Sequence, residues 1–206
     1  MAGPLPALRS CPPSLRDEWD RRHRAAEVLP DPAAVLCEHR HLLPAGGRAL
    51  DLACGLGANA ALLARHGFEV AAWDLSPVAV ARVRDLASRM QLSITADVRD
   101  VCARPPHPAT FDCILVAHFL ERSLAPALAA ALRPGGLLFY QTFGRDGASG
   151  RGPKNPCYRL DTNELLHLFS GLTLRFYLED GQVGDLSKGT RDLVQFIGQQ
   201  PMGQAG

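Results

Sequence analysis

Three carboxylates, Asp51, Asp74 and Asp97, end three successive apolar runs, and the loop Ala53-Cys54-Gly55-Leu56-Gly57 follows the first of them. Glycine at such a place lets the backbone approach a ligand closely, because a Cβ would block the approach or forbid a positive φ. Taken alone the glycine pattern is ambiguous, since with Ala60 it also fits the loops that hold dinucleotides. Asp51, four residues before Gly55, would repel a pyrophosphate and favour a ligand bearing an ammonium group. Asp74, about 17 residues after Gly57, is placed to accept the hydroxyls of a ribose. Asp97 and the amide of Val98 could read the exocyclic amine and a ring nitrogen of adenine. Each acid alone is better explained as a helix cap or a solvated strand end. Their order favours an adenosine ligand with a cationic end.

Such groups must be carried by strands that end at one edge of a sheet, and the rest of the sequence supplies them. Short apolar runs alternate with helical patterns, as in stacked βαβ units. Strands are expected at Ala49 to Ala53, Glu69 to Leu75, Ser93 to Val98, Phe111 to Val116 and Leu137 to Phe143. Helices are expected at Pro32 to Leu43, Ala58 to His66, from Pro77 with Ser76 as N-cap, and at Leu124 to Leu132. Pro134-Gly135-Gly136 reads as a tight turn that launches the fifth strand. Asp161-Thr162-Asn163-Glu164 resembles a capping box opening a helix to Phe169. Leu172 to Glu179 and Leu193 to Ile197 read as closing strands able to pair antiparallel.

The composition sets bounds on partners. With 206 residues, 47% hydrophobic, the chain suits one globular domain, expected over residues 16–198, with tails at 1–15 and 199–206 that lack periodicity. Basic and acidic residues number 22 and 21 and are mixed, giving a net charge of +1 and no footprint for nucleic acid or an anionic membrane. No stretch reads as a signal peptide or a membrane span, so a cytoplasmic location is expected. The six cysteines are scattered and read as reduced thiols. Cys37, His39 and His41 alternate around a helix and complete no ligand set, so no metal is expected.

The series Asp51-Leu52-Ala53-Cys54-Gly55-Leu56-Gly57, Asp74, Asp97, Phe111-Asp112 and Leu132-Arg133-Pro134-Gly135-Gly136 resembles the motifs of class I S-adenosylmethionine-dependent methyltransferases. Ala53 stands where many members have glycine. The resemblance implies an α/β fold, a Rossmann-like doubly wound seven-stranded sheet, mostly parallel with the last strand antiparallel. A narrower likeness, carried by Glu18-Trp19-Asp20, Asn59, Pro153-x-Asn155-Pro156 and Glu164-Leu165, is to tellurite-resistance-like methyltransferases. Those proteins commonly have arginine where this chain has Ala58, so the resemblance carries fold and cofactor and not the substrate.

On this reading Asp51, Ala53, Gly55, Gly57 and Asn59 hold the methionine part of S-adenosyl-L-methionine, Asp74 and Leu75 the ribose, and Asp97 and Val98 the adenine. The backbone at Val116 and Ala117 completes the site. The methyl group would then face the loop that begins with His118, a candidate base. Trp19, Arg122, Tyr158 and Arg159 join His118 as candidate substrate contacts, with ion pairing, loop packing and solvated positions as their plain alternatives. The expected reaction is methyl transfer to an oxygen, nitrogen, sulfur or chalcogen atom of a small molecule by a monomer or homodimer. A non-catalytic binder of the same cofactor and a nicotinamide-dependent oxidoreductase are the alternatives.

Overall fold

A computed structural model describes residues 13–203. Parts of both expected tails, residues 1–12 and 204–206, lie outside the described residues. The strands are β1 (Gly47–Leu52), β2 (Phe68–Asp74), β3 (Ile94–Val98), β4 (Phe111–Ala117), β5 (Leu132–Phe143), β6 (Thr173–Leu178) and β7 (Leu193–Gln199). The helices are α1 (Pro13–Ala25), α2 (Ala34–Glu38), α3 (Ala58–His66), α4 (Pro77–Met90), α5 (Ala125–Ala131) and α6 (Glu164–Leu168).

The strands form one seven-stranded sheet of order β3-β2-β1-β4-β5-β7-β6. β7 runs antiparallel to both β5 and β6, and the pairings among β1 to β5 are parallel. The order reverses between β1 and β4, which opens a crevice beyond their carboxyl ends.

Strand periodicity sorts the core into two layers. Leu50, Leu52, Ile114 and Val116 face one side with Leu124, Leu128 and Leu165. Ala49, Cys113 and Leu115 face the other with Val35, Leu36, Leu63 and Val83. Both faces of β1 and β4 are covered, so these strands read as near-continuous apolar runs. Asp51, at the parity of Ala49, therefore points toward the side where α3 packs.

Local signals fix most element ends. Ser76 caps α4 by accepting the Ala79 N–H at 3.1 Å, ahead of Pro77. Gly67, at φ +113°, terminates α3 in a left-handed conformation.

Several boundaries differ from the sequence reading for identifiable reasons. Pro134-Gly135-Gly136 is not a turn before β5 but a bulge inside it: Phe111 pairs with Leu132 and Cys113 with Leu137. Gly135 donates to the Gln200 carbonyl, and Gln200 donates back to Gly136, which ties residues 199 and 200 to the sheet. α1 begins at Pro13, inside the stretch read as a tail, since proline is tolerated in a first helical turn. At α6 only half of a capping box forms. Glu164 accepts the Asp161 N–H at 2.8 Å, while the Asp161 carboxylate pairs with Arg145 at 2.7 Å and Asn163 takes the N-cap position.

Candidate active site

A cavity of about 430 Å³ lies at the carboxyl edge of β1, β2 and β4, roofed by α1. That volume is within the range of roughly 300–1,000 Å³ that accommodates small molecules. Of the residues expected to bind ligand, Ala53, Gly55, Asn59, Asp74, Leu75, Ala117, His118 and Trp19 line it.

The loop after β1 is built from left-handed residues: Ala53 at φ +56°, Gly55 at +51° and Gly57 at +84°. The departure at Ala53 therefore places an L side chain where the backbone favours glycine, at about 1–2 kcal/mol of strain. Main-chain bonds fix the loop, with Cys54 donating to the Trp73 carbonyl and Gly57 to that of Cys54, each at 3.0 Å. A Cβ on Gly57 would approach Val83 to 2.9 Å, so this glycine lets α4 pack beneath the loop.

The two acids flanking the loop do different work. Asp74 ends β2, lines the cavity and accepts the Gly55 N–H at 2.9 Å and the Ser76 N–H at 2.8 Å. Burial pushes its carboxyl above the ordinary range, while those N–H groups and His23 pull the other way. Asp51 lies behind the loop and does not line the cavity. It accepts the Ala60 N–H at 2.9 Å and so satisfies one unpaired donor in the first turn of α3. Enclosure raises its pKa to about 7, the Ala60 bond opposing and Asp74 adding to the rise.

The third acid is placed differently from the sequence reading. Asp97 is on the strand parity opposite buried Ala96; it lines a separate cleft beside β1 to β3 and lies 3.8 Å from Arg84. Val98 is exposed. The cavity wall beyond β3 is made instead by Arg99, Asp100 and Val101, the first residues of the crossover to β4. Arg99 lies 3.7 Å over the Trp73 ring. Strand alternation could have signalled the Asp97 orientation, whereas the reach of the following loop could not be read from pattern.

Five other candidates do not line the cavity, Gly57 among them. Val116 is fully buried beneath it. Arg122 pairs with both oxygens of Glu164 at 2.5 and 2.9 Å and donates to the carbonyls of Cys157 and Arg159. Arg159 in turn donates to the carbonyls of Pro153, Gly144 and Arg151. Both arginines thus organise the crossover between β5 and α6, and Tyr158 stands half-exposed on that crossover.

His118 does reach the cavity. It follows β4 at φ +55°, a conformation a non-glycine residue adopts only where its surroundings impose it. Its N–H donates to the Gln141 carbonyl at 2.8 Å, and its ring packs on Phe143 at 5.3 Å. Burial, with Arg151 in second place, lowers its pKa, favouring the neutral imidazole that can accept a proton.

The roof was largely missed from sequence. Trp19 and His23 stack, 5.6 Å apart, and both line the cavity. Asp20 accepts the Ser76 hydroxyl, and Arg82 donates to the carbonyls of His23 and Ala26 at 2.7 and 2.6 Å. The i, i+4 spacing of Trp19 and His23 was the available signal for a shared face. No helix among the described residues is long and apolar enough to cross a membrane.

Comparison with known proteins agrees with this architecture. A 112-residue stretch is 38% identical to the ubiquinone biosynthesis O-methyltransferase of Xanthomonas campestris pv. campestris, covering 50% of this chain and 46% of that protein. The chain thus spans about half the length of the curated relatives it matches. Among solved structures, one concerned with converting a disulfide bond into a thioacetal group during echinomycin biosynthesis aligns over 93% of this chain and 94% of its own, with TM-score 0.69 and 24% identity. TehB of Haemophilus influenzae aligns over 90% of this chain and 66% of its own, with TM-score 0.65 and 18% identity. At these identities the structural likeness is one of fold. The family model of the methyltransferase domain matches residues 20–181, a span from α1 to beyond β6 that contains the glycine loop, Asp74 and His118, and the chain belongs to the class I S-adenosylmethionine-dependent methyltransferase family.

Proposed function

We propose that the protein binds S-adenosylmethionine in the cavity under α1 and transfers its methyl group to a small-molecule acceptor arriving from the His118 side. The observation that carries this reading is one cavity that joins the glycine loop, Asp74 and His118. The residues present fit such a ligand. The loop offers close backbone approach, Asp74 is a buried acceptor for ribose hydroxyls, and Asp51 adds negative potential behind the loop for a cationic centre. The expected domain of residues 16–198, extended to the ends of α1 and β7, is the functional unit on this reading. The acceptor atom is an oxygen, nitrogen, sulfur or chalcogen, and an O-methyltransferase among the relatives makes oxygen the first class to test.

The cofactor supplies an activated methyl group when bound, so the chain's task is largely to place the acceptor in line with it. Holding two reactants in that geometry is worth roughly 7–11 kcal/mol. Trp19 and Phe119, both of which line the cavity, give this meeting point apolar walls. His118 Nδ1 or Nε2, neutral at physiological pH, takes the proton of an acidic O–H or S–H acceptor. A methyl-transfer screen with labelled cofactor over phenols, thiols, amines and metalloid oxyanions tests the reading. His118→Ala is expected to lower kcat by about 10²–10⁴-fold on a protic acceptor, with cofactor affinity unchanged. Binding of S-adenosylhomocysteine with no turnover on any acceptor class would sink the transferase reading.

A further inference from the structure

The cofactor reading, on which this inference rests, leaves one end of the ligand unanswered. S-adenosylmethionine carries a carboxylate beside its ammonium group, and Asp51 and Asp74 on either side of the glycine loop repel an anion. A donor must stand near Gly55. The basic side chains lining the cavity among the described residues are Arg22, His23, Arg99 and His118. Arg22 is bound to Glu18 at 2.5 Å, and Arg99 is held over Trp73 by bonds to the Arg104 and Pro105 carbonyls. His118 lies beyond β4 against Phe143.

His23 is the one on the loop. A Cβ built on Gly55 would lie 3.5 Å from its Cε1. The ring is stacked on Trp19, its main chain is clamped by Arg82, and its nitrogens make no hydrogen bond among the described residues. We propose that His23 binds the carboxylate of the cofactor and that binding takes up a proton there.

The charged groups around it are Asp74 at the end of β2, Asp20 and Arg22 on α1, and Arg82 on α4. Burial holds the imidazole below its ordinary range; Asp74 and Asp20 oppose this, and Arg82 and Arg22 add to it. An arriving carboxylate raises the pKa, so affinity increases as pH falls through the bound-state value and levels off below the free-state value. Asp51 and Asp74 act with the opposite sign. A cationic ligand favours their ionised forms, and protonating them at low pH weakens binding. The part of the slope that belongs to His23 is therefore the difference between the natural protein and a variant lacking the imidazole.

Calorimetric titration of the full chain from about pH 6 to about pH 8, in buffers of different ionisation enthalpy, measures both affinity and proton uptake across the histidine range. The probes are S-adenosylhomocysteine and 5′-methylthioadenosine, which keeps the adenosine and lacks the amino-acid moiety. S-adenosylhomocysteine is expected to bind more tightly at the lower pH with net proton uptake, whereas methylthioadenosine shows no uptake through His23. His23→Gln is expected to weaken S-adenosylhomocysteine about five- to tenfold at the lower pH and to abolish the uptake, with methylthioadenosine affinity unchanged as proof of folding. Should His23→Gln misfold, His23→Asn replaces it under the same criterion. A pH dependence of affinity and a proton uptake that are the same in the natural protein and in His23→Gln overturn the proposal while leaving the cofactor reading intact. Failure of both probes to bind the natural protein overturns the cofactor reading itself.

Discussion

The two ends of the cavity are made differently. At the glycine loop, Ala53 to Gly57 take their shape from left-handed backbone, and Asp74 is bonded to the loop and to Ser76 just beyond its own strand. At the acceptor side, His118 and the crossover of residues 144–163 owe their positions to distant partners. Arg122 reaches 42 residues to Glu164, and Arg159 reaches 15 residues back to Gly144. The first region shows charge placed on a cavity-facing edge. The second shows charge consumed in holding a loop, which is why its arginines resemble substrate contacts in sequence and act as braces in the fold.

The contrast can be broken by experiment, and the largest effect belongs to Asp51. Burial raises its pKa in the folded protein to about 7, well above the ordinary carboxylate range, so the folded state binds the extra proton. The associated stability is fully present below the unfolded value and is lost as pH rises toward 7. The change is on the order of 4 kcal/mol. Asp51→Asn should remove this decline, as followed by urea unfolding across that range, and should weaken binding of a cationic ligand. A decline that persists in the variant would place its origin elsewhere.

Arg122→Ala comes next. It leaves the partly buried Glu164 carboxylate without its partner, and the expected loss is about 2–4 kcal/mol of stability, with S-adenosylhomocysteine affinity unchanged. Weaker ligand binding at unaltered stability would erase the distinction between brace and contact. Asp74→Ala should do the reverse, weakening cofactor binding by about 1–3 kcal/mol through lost charge-assisted hydrogen bonds. Unchanged affinity would remove the ribose assignment. The smallest effect is that of Ala53→Gly. Relief of the left-handed strain, partly offset by the greater freedom of glycine in the unfolded chain, should raise stability by up to about 1 kcal/mol. A melting curve shifted downward would show that the Ala53 methyl group packs productively.

How far the site was legible follows the same division. The glycine loop, Asp74 and the N-cap at Ser76 rest on residues close in sequence, and their types alone restrict the backbone. The bulge at Pro134 to Gly136 was misread as a turn because its pairing partners lie at Phe111 and Gln200. Asp97 stands outside the cavity because a strand residue's neighbours depend on which face is covered, and the crossover beside it contains no helix.

The sequence by itself determined the alternating strand and helix pattern, the loop after β1, the acid that ends β2 and the antiparallel closing pair. Periodicity, capping and glycine φ are local properties that each residue carries wherever it is placed. Only the tertiary structure decided that Asp51 sits behind the loop, that Arg122 and Arg159 serve the crossover, and that His23 roofs the cavity. Those outcomes depend on burial and on hydrogen-bond partners many residues away, where a charge acts on whatever packing brings within a few ångströms of it.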